Sequence, residues 1–419
     1  MPLFIIQIAL MDREGRSVEA AGDIASGWGG TQVIGGPMLF IPYEVTDNST
    51  VDANGRSVSL TKRMTAVLLP TALKLDVDAQ SGQRWRGIFP VPVYRAKVKM
   101  DARFDRSALA GVTPPGARVL WNEASAVTSI SDVRGLADNI PMQVNGHSTA
   151  FEPGLGQEGS FAGGIHAPLH LTAIPDGLTL DTSFTLRGSR ELSFAPLGQR
   201  TTSSLRSNWA DPSFFGAFLP GDRTVRDGGF EASWTIPDLA RGFGQRFESP
   251  AAAMRSVLDS TFGVRFYQPV DFYQLVQRSL KYAVLFVGLA FLVFFVTELV
   301  VDRRLHAAQY TLIGAAQVLF YLLLLSFAEH IGFGAAYFLA AAATVVLTAL
   351  YALSAFASRM RALSLFGILS GLYALLYVIL IQEDYALLIG ALVLFFALGA
   401  TMFVTRRIDW SRVAPAGAG

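Results

Sequence analysis

The last third of the chain consists of long apolar stretches separated by short polar links. Five stretches are long enough to cross a membrane as helices, at 282–301, 310–328, 331–357, 363–381 and 385–404. About 20 apolar residues, each rising about 1.5 Å along a helix, span a hydrocarbon core of about 30 Å. Backbone polar groups in lipid must be satisfied within the segment, so closely spaced spans predict a helical bundle. We therefore expect a transmembrane bundle over 276–404 and a tail over 405–419.

Between residues 12 and 275 apolar positions alternate with polar ones, which is typical of half-buried strands. The clearest example is 96–105, where one face carries Ala96, Val98, Met100, Ala102 and Phe104. Similar stripes occur at 73–78, 178–186 and 230–236. One-sided strands with short connections rich in Gly and Pro favour an antiparallel sheet or sandwich. The pattern predicts a large, mainly antiparallel all-β domain, with helical patterns only at 17–27 and 249–260.

The first eleven residues, MPLFIIQIALM, form an apolar stretch that is too short to span a membrane. As a helix it would cover about 16 Å, roughly half of the hydrocarbon core. No basic region precedes it and no cleavage site of small residues follows it. We expect 1–11 to be the remnant of a transmembrane helix whose true start lies upstream, with a stray apolar strand as the alternative.

Basic residues in the short links predict the orientation, because loops rich in Lys and Arg stay in the cytoplasm. Seven arginines follow the first, third and fifth spans: Arg303, Arg304, Arg359, Arg361, Arg406, Arg407 and Arg412. The alternate links carry no Lys or Arg, and only Arg278 and Lys281, before the first span, oppose this distribution. The C-terminus is thus predicted to be cytoplasmic and the β domain periplasmic.

Composition excludes several classes of protein. The 419 residues include 34 Lys and Arg, 33 Asp and Glu, and no cysteine. A net charge of +1 gives no reason to expect a nucleic-acid partner. The absence of cysteine excludes disulfides, thiolate zinc sites and thiol catalysis. A mean hydropathy of +0.38 is high for a soluble enzyme of this length, and the lipid bilayer is the partner that it implies.

Six charged or titratable residues fall at the outer ends of the predicted spans and form a candidate charge cluster: Arg278, Lys281, Glu329, His330, Glu383 and Asp384. One hypothesis is a ring of ion pairs that connects the helix ends and stabilises Arg278 and Lys281, the two cations that oppose the predicted orientation. The alternative is that each charge is solvated at the headgroup surface, where a pair contributes about 0 to 1 kcal/mol.

Glu298 is the only charge within a predicted span, and intramembrane charges are expensive enough to suggest function. Its position near the cytoplasmic end, close to Asp302 and Arg303, allows it to reach water. An ion relay would need further ionisable groups across the membrane, and the other spans offer only Gln317 and hydroxyls such as Ser326. A transporter is therefore the weaker interpretation.

His166 and His170 are weak candidates for a metal site. Their spacing places both imidazoles on one face of a helix or a strand, and Pro168 argues against the helix. A third ligand, Glu152 or Glu158, would still be needed, and no motif places it. Surface or hydrogen-bonded histidines are the favoured alternative. No Walker motif, nucleophile elbow or H-E-x-x-H occurs, so we predict no catalytic residue and no cofactor.

Several stretches along nearly the whole chain resemble the CreD family of bacterial inner-membrane proteins. In the β domain they are GGPMLFIPY (35–43), RGIFPVPVYRAKV (86–98), SDVRG (131–135), GIHAPL (164–169) and SNWADPSFFGAFLP (207–220). In the bundle they are PVDFYQLVQRSLKYAVLF (269–286), QYTLIG (309–314), FYLLLLSFAEHIGF (320–333), EDYALLIG (383–390) and TRRIDW (405–410). Departures are the short first span and Ala307, where the family often carries Pro.

The resemblance implies one N-terminal span, a large periplasmic domain, a C-terminal bundle and a role in envelope integrity under a carbon-responsive two-component regulator. It implies no catalytic residue. The leading hypothesis is a non-enzymatic envelope protein whose periplasmic domain binds or senses a partner. The alternatives are a transporter-like protein that handles lipids or small molecules and a membrane-tethered periplasmic hydrolase. An exposed apolar patch on the sheet would favour the first, a deep polar cavity between spans the second, and a cleft joining His166, His170 and carboxylates the third. The oligomeric state is left open.

Overall fold

The protein consists of two compact units. The computed structural model describes residues 2–51, 57–138, 140–155, 163–266, 272–301, 305–382 and 385–406. The helical unit contains Met1–Ser17 and Val270–Gly419, and the β unit contains Val18–Pro269.

The described residues form eight α-helices. Their bounds are α1 (Pro2–Trp28), α2 (Arg106–Ala110), α3 (Pro250–Leu258), α4 (Phe272–Val301), α5 (Ala307–Ile331), α6 (Phe333–Phe356), α7 (Arg359–Ile381) and α8 (Ala386–Thr405). Helices α4 to α8 are each long and apolar enough to cross a membrane. The five predicted spans are therefore present.

Two helices extend beyond the predicted stretches. Helix α4 begins at Phe272, so Arg278 and Lys281 lie within it. Tyr273, Val276 and Ser279 are buried along one side of this added part, because apolar residues continue at helical spacing before the fully apolar stretch begins. Helix α1 continues past Met11 and ends at Trp28, and it is followed by Gly29, whose φ of 124° suits glycine.

The β unit contains eighteen described strands. Their bounds are β1 (Gln32–Val51), β2 (Ser57–Leu68), β3 (Ala72–Arg86), β4 (Phe89–Asp105), β5 (Arg118–Val119), β6 (Ser125–Ile130), β7 (Pro141–Val144), β8 (His147–Ala150), β9 (Glu152–Pro153), β10 (Gly164–Pro168), β11 (Gly177–Ser189), β12 (Glu191–Phe194), β13 (Arg200–Ser207), β14 (Pro212–Gly216), β15 (Asp222–Arg226), β16 (Gly229–Pro237), β17 (Arg246–Phe247) and β18 (Phe262–Phe266).

These strands form two mainly antiparallel sheets. The ten-stranded sheet runs β14-β18-β12-β1-β6-β10-β9, with β2 and β5 on β1 and β17 on β2. The eight-stranded sheet runs β15-β16-β13-β3-β4-β11-β7-β8. Only two of the described pairs, β1 with β12 and β13 with β3, are parallel. The fold class expected from the sequence, an all-β domain with a helical bundle, is confirmed.

The hydrophobic core follows the alternation seen in the sequence. The predicted inner face of β4 is buried from Ala96 to Phe104, while the intervening side chains are exposed. By contrast, every residue of β6 is buried, as expected for a strand covered on both faces. The outward side chains of the eight-stranded sheet therefore form a polar surface with a regular spacing along each strand.

Candidate functional site

A charged face covers the centre of the eight-stranded sheet. It is made by the outward side chains Asp76, Asp78, Lys97, Lys99, Arg206 and Glu231. Strand register places residues of opposite sign side by side in the order Glu231, Arg206, Asp78 and Lys97. A groove of about 710 Å³ runs over this face and is also lined by Asp222 and Arg223. Opposite charges on neighbouring strands stabilise the sheet and leave the face close to neutral.

Hydrogen bonds hold one carboxylate of the charged face in place. The Lys74 ammonium lies 2.9 Å from Asp76 Oδ2, and the Ser204 hydroxyl donates to Asp76 Oδ1 at 2.7 Å. Partial burial works to raise the pKa of Asp76, but hydrogen bonds from Lys74 and Ser204 outweigh it and lower that pKa. Asp76 is thus held in its charged form.

Two aspartates face each other beside the charged face. Asp101 on β4 and Asp181 on β11 are register partners. Desolvation and the hydrogen bond with Asp101 raise the pKa of Asp181, because burial disfavours the charged form and a neighbouring carboxylate opposes a second ionisation. Strands β4 and β11 thus place two like charges opposite each other here, as they also do at Arg95 and Arg187.

A second polar cluster lies at the start of β1, and we call it the Gln32 node (Gln32, Ser131, Asp132, Arg134 and Arg187). Gln32 is fully buried. Its Nε2 donates to the carbonyl oxygens of Asp132 and Arg187, both at 3.0 Å. Its Oε1 accepts from the Asp132 amide at 3.2 Å and from the Ser131 hydroxyl at 3.3 Å. The amide therefore joins β1, the SDVRG segment and β11.

Asp132 is the acidic member of the Gln32 node. Arg134 Nε donates to Oδ1 at 2.8 Å, and the Gly30 amide donates to Oδ2 at 3.0 Å. The hydrogen bond from the Arg134 side chain is the largest cause of a lowered Asp132 pKa, with burial opposing it. The carboxylate thereby fixes the backbone immediately after α1.

The last turn of α1 packs against the hairpin of β3 and β4. Trp28 Nε1 donates to the Tyr94 carbonyl at 3.3 Å. The Arg84 guanidinium carbon lies 3.7 Å from the centre of the Trp28 ring, a cation–π contact. Arg86 also pairs with Asp23 of α1 at 3.1 Å. Together with Gly29 and Gly30, these contacts attach the end of α1 to the β unit.

In the helical unit, Glu329 joins three helices. Its side chain is only 6% exposed and lies 3.6 Å from Arg13 Nε of α1. The Tyr273 hydroxyl of α4 donates to the same carboxylate oxygen at 3.2 Å. A buried carboxylate requires such partners, because desolvating an unpaired charge is costly. Glu329, at the end of α5, thus has partners that the sequence did not suggest.

The other members of the predicted charge cluster have different surroundings. Arg278 is half-buried on α4, whereas Lys281 and His330 are exposed. Among the described residues no ion pair within 4.0 Å involves Lys281. Glu383 and Asp384 lie outside the described residues. The ring of ion pairs therefore stays a prediction.

Glu298, the predicted intramembrane charge, has a hydrogen-bond donor on the next helix. The Tyr310 hydroxyl of α5 donates to Glu298 Oε2 at 2.6 Å, and both side chains are partly buried. This contact satisfies one carboxylate oxygen within the bundle.

The histidine candidates are in separate local environments. His166 Nδ1 lies 3.1 Å from the Gly154 carbonyl oxygen, and Nε2 lies 3.5 Å from Glu152. His170 follows β10 with a left-handed φ of 47° and is exposed. Glu158 lies outside the described residues. In the described part of the chain, no three His, Asp or Glu side chains are grouped to hold a metal.

Sequence reasoning missed Arg13, Tyr273, Tyr310 and the Gln32 node as functional candidates. Arg13 and Tyr310 each lie near the end of an apolar stretch, where side chains can reach a polar residue on a neighbouring helix. This position at the end of an apolar stretch was the feature of the sequence that could have identified Arg13 and Tyr310. No such signal marks Gln32, because its side-chain partners come from two segments that are distant in the chain, 131–132 and Arg187.

Comparisons with known proteins agree with this architecture. The family model described as "Inner membrane protein CreD" matches residues 1–411. The Inner membrane protein CreD of Escherichia coli (strain K12) is 33% identical over 416 residues, covering 98% of this chain and 90% of the relative.

Similarity to solved structures is slight. A two-domain M1 zinc metallopeptidase bound to L-arginine is 12% identical with a TM-score of 0.21, covering 47% of this chain and 41% of the other. The M1 zinc metallopeptidase from Deinococcus radiodurans is 11% identical with a TM-score of 0.19, covering 40% and 38%. Neither resemblance carries an argument about fold or activity. By contrast, the family match and the E. coli relative show that the chain belongs to the CreD family of inner membrane proteins.

Proposed function

We propose that this inner-membrane protein has a non-enzymatic role in the integrity and stress response of the cell envelope. Its β unit lies in the periplasm and binds a partner through the charged face, while the bundle anchors it. The observation that best supports this proposal is the alternation of positive and negative side chains across the strands beneath a groove of about 710 Å³. The name of the E. coli relative, which states a membrane protein and no reaction, also favours a non-enzymatic role.

The distribution of arginines supports this orientation. Arg359 and Arg361 lie in the first turn of α7, and Arg406 directly follows α8, so all three belong to the ends predicted to be cytoplasmic. Glu329 and His330 mark the opposite end of α5. Short loops rich in arginine resist translocation, which favours a periplasmic position for the large β unit.

The mixed charge of the face defines the chemistry of the partner. A polyanion would meet Asp78 and Glu231 as well as Lys97, so a purely anionic polymer is disfavoured. An apolar partner surface would have to desolvate these charges without pairing them, which costs free energy. A protein surface that carries both signs at strand spacing fits best, and electrostatic complementarity would set its register.

Crosslinking in living cells tests this proposal. We place a photoreactive amino acid at Thr224, an exposed position that lines the groove. A matched probe at Pro115, in an exposed loop, serves as the positional control. We expect one discrete crosslinked protein from Thr224 and not from Pro115. Lys97→Glu with Arg206→Glu should reduce its yield by about tenfold, which corresponds to about 1.4 kcal/mol.

Charge reversal elsewhere is the second control. Lys62 is an exposed lysine of the ten-stranded sheet, and Lys62→Glu should leave the crosslink unchanged. The same product from both probe positions, or equal yields in the Lys97→Glu and Lys62→Glu proteins, would refute binding through the charged face.

A further inference from the structure

A groove runs along the bundle surface between α6 and α7. It has a volume of about 530 Å³ and an almost wholly apolar lining. On α6 it begins at Gly334 and ends at Val346, and on α7 it extends from Phe366 to Tyr377. Exposed apolar residues form its sides, among them Phe338, which is 73% exposed.

Small side chains leave this groove open. Ala341 and Ala342 line it on α6, and Ser370 and Ala374 line it on α7. Larger residues at these positions would fill the space between the helices, as they do in packed interiors. The space is therefore a property of the sequence of the two helices.

Hydrogen bonds hold the floor of the groove. The Tyr337 hydroxyl of α6 donates to the Tyr373 carbonyl of α7 at 2.6 Å. The Tyr373 hydroxyl donates to Gln317 Oε1 of α5 at 2.8 Å. The Phe320 ring packs against both tyrosines, with ring centres 5.4 Å and 4.7 Å away. Because these contacts fix the rings of Tyr337 and Tyr373, the groove is preformed and a ligand need not reorder it.

The dimensions of the groove select its occupant. From Gly334 to Val346 an α-helix rises roughly 18 Å, so 530 Å³ corresponds to a mean cross-section of roughly 30 Å². A helix with side chains, about 10–12 Å in diameter, would need roughly 80–110 Å². A single hydrocarbon chain is only about 4–5 Å wide at carbon contact distances, or roughly 15–20 Å². The cross-section of the groove accommodates a hydrocarbon chain over its whole length, whereas a helix could enter it only with its side chains.

The position of the groove matches one leaflet of the bilayer. It begins at the start of α6, two residues after Gly332, and occupies the first half of that helix. Its length along α6, roughly 18 Å, is close to half the thickness of a hydrocarbon core of about 30 Å. Tyr377 lies at the same end as Gly334, where a tyrosine hydroxyl can face the headgroup region.

From these observations we propose that the groove between α6 and α7 binds one acyl chain of a membrane lipid. The lipid belongs to the leaflet on the side of the link between α5 and α6, and its headgroup lies near Gly332 and Tyr377. Only the naming of this leaflet as the periplasmic one rests on the proposed orientation. Binding itself is independent of the charged face.

Photochemical labelling of the reconstituted full-length protein tests this proposal. The vesicles contain phosphatidylethanolamine, phosphatidylglycerol and a trace of phospholipid with a diazirine in its acyl chain. We expect adducts concentrated on 337–346 and 366–377, in excess over the lipid-exposed helix α8. Ala342→Trp places a large ring in the groove and should lower these adducts about fivefold or more, because packed volume excludes the chain.

Matched variants distinguish occlusion from misfolding. Ala343 is the exposed neighbour of Ala342 and does not line the groove, so Ala343→Trp should leave labelling unchanged. Ala374→Leu narrows the groove from the other wall with a small change of volume and should also reduce labelling. Equal labelling of α8 and the groove would overturn the proposal, as would labelling that is unaffected by both groove variants. Disulfide-linked dimers of an Ala342→Cys protein that form at the expense of labelling would assign the groove to a second copy and also overturn it.

Discussion

Gln32 and Gly135 show how single residues organise the exit of the first helix. The buried Gln32 amide uses both its nitrogen and its oxygen within the Gln32 node, so an apolar replacement would leave two carbonyls and an amide unpaired. A Cβ on Gly135 would lie 2.2 Å from the Arg187 carbonyl oxygen and 2.6 Å from Gln32 Nε2. The glycine of the SDVRG segment is therefore required by close approach of the backbone.

Asp132 predicts a dependence of stability on pH. Its pKa in the folded protein is lowered, chiefly by the Arg134 hydrogen bond. A carboxylate of this kind contributes stability above its unfolded pKa of about 3.9, and the contribution is lost as pH falls through the folded value. We expect Asp132→Asn to lower the melting temperature of the purified protein at pH 7, and this difference should shrink as the pH falls below about 4.

The exposed Asp211, in the loop before β14, provides the control. Asp211→Asn should have little effect on melting at pH 7, because exposed carboxylates contribute little to stability. A difference between native protein and Asp132→Asn that is constant from pH 7 to the acid range would contradict a charge-based role for Asp132.

In the helical unit, side-chain hydrogen bonds join α4 and α5 at both ends of α5. Helix α5 is joined to α4 by Tyr310 and Glu298 at its beginning and by Glu329 and Tyr273 at its end. Helix α1 contributes Arg13 to the second contact. The sequence predicted charges at these levels of the bundle, but the partner of each charge depends on how the helices are rotated about their axes.

The Glu329 contact predicts a measurable coupling between helices. Glu329→Ala should lower the free energy of unfolding by about 1–3 kcal/mol, because the Arg13 and Tyr273 donors lose a buried acceptor. Arg13→Ala should act in the same direction, since it leaves a carboxylate that is 6% exposed without its cation. The double variant should be less damaged than the sum of the single variants. Thermal melting in detergent measures all three.

Arg16 is the matched control on the same helix. It pairs with Asp12 at 3.1 Å, and both side chains are more than half exposed. Arg16→Ala should cost about 0.5 kcal/mol or less. Strictly additive effects at Arg13 and Glu329, no larger than the Arg16→Ala effect, would mean that the Glu329 contact does not stabilise the unit.

At the scale of the whole molecule, the division into two units agrees with the two hydrophobic periods in the chain. The helical unit buries apolar stripes on α4 to α7, whereas α8 keeps most of its apolar surface exposed, as suits a helix that faces lipid. The β unit has one continuous core that both sheets share. From Lys281 onward the chain has only eight basic and six acidic residues, so most charges belong to the β unit.

The orientation of the whole molecule can be tested because the chain has no cysteine. Ser183 is exposed on β11 and Ala308 is exposed at the start of α5. We expect a membrane-impermeant maleimide to label Ser183→Cys in spheroplasts, and to label Ala308→Cys only after the membrane is opened, because the proposed orientation places the arginine-rich ends in the cytoplasm. Labelling after lysis shows that Ala308→Cys is reactive. Labelling of Ala308→Cys in sealed spheroplasts would reverse the proposed orientation.

The sequence by itself determined the five spans, the alternation of the strands and the family resemblance. These features depend on residues close together in the chain: a run of apolar residues either covers the bilayer or does not, and a period of two marks a strand wherever it pairs. The inner face of β4 could therefore be predicted residue by residue, and the five spans at α4 to α8 could be located along the chain. The Gly332 link between α5 and α6 follows the same local logic, since its φ of 76° favours glycine.

Only the tertiary structure decided which distant side chains meet. The order Glu231, Arg206, Asp78 and Lys97 depends on the register of four strands, and a shift of one residue would turn every side chain to the other face. Glu329 meets Arg13 because helix rotation places them together, and the α6–α7 groove remains where small residues of two helices face each other. Periodicity assigns a residue to a face, but strand register and helix packing choose its neighbours, because those neighbours are distant in the chain.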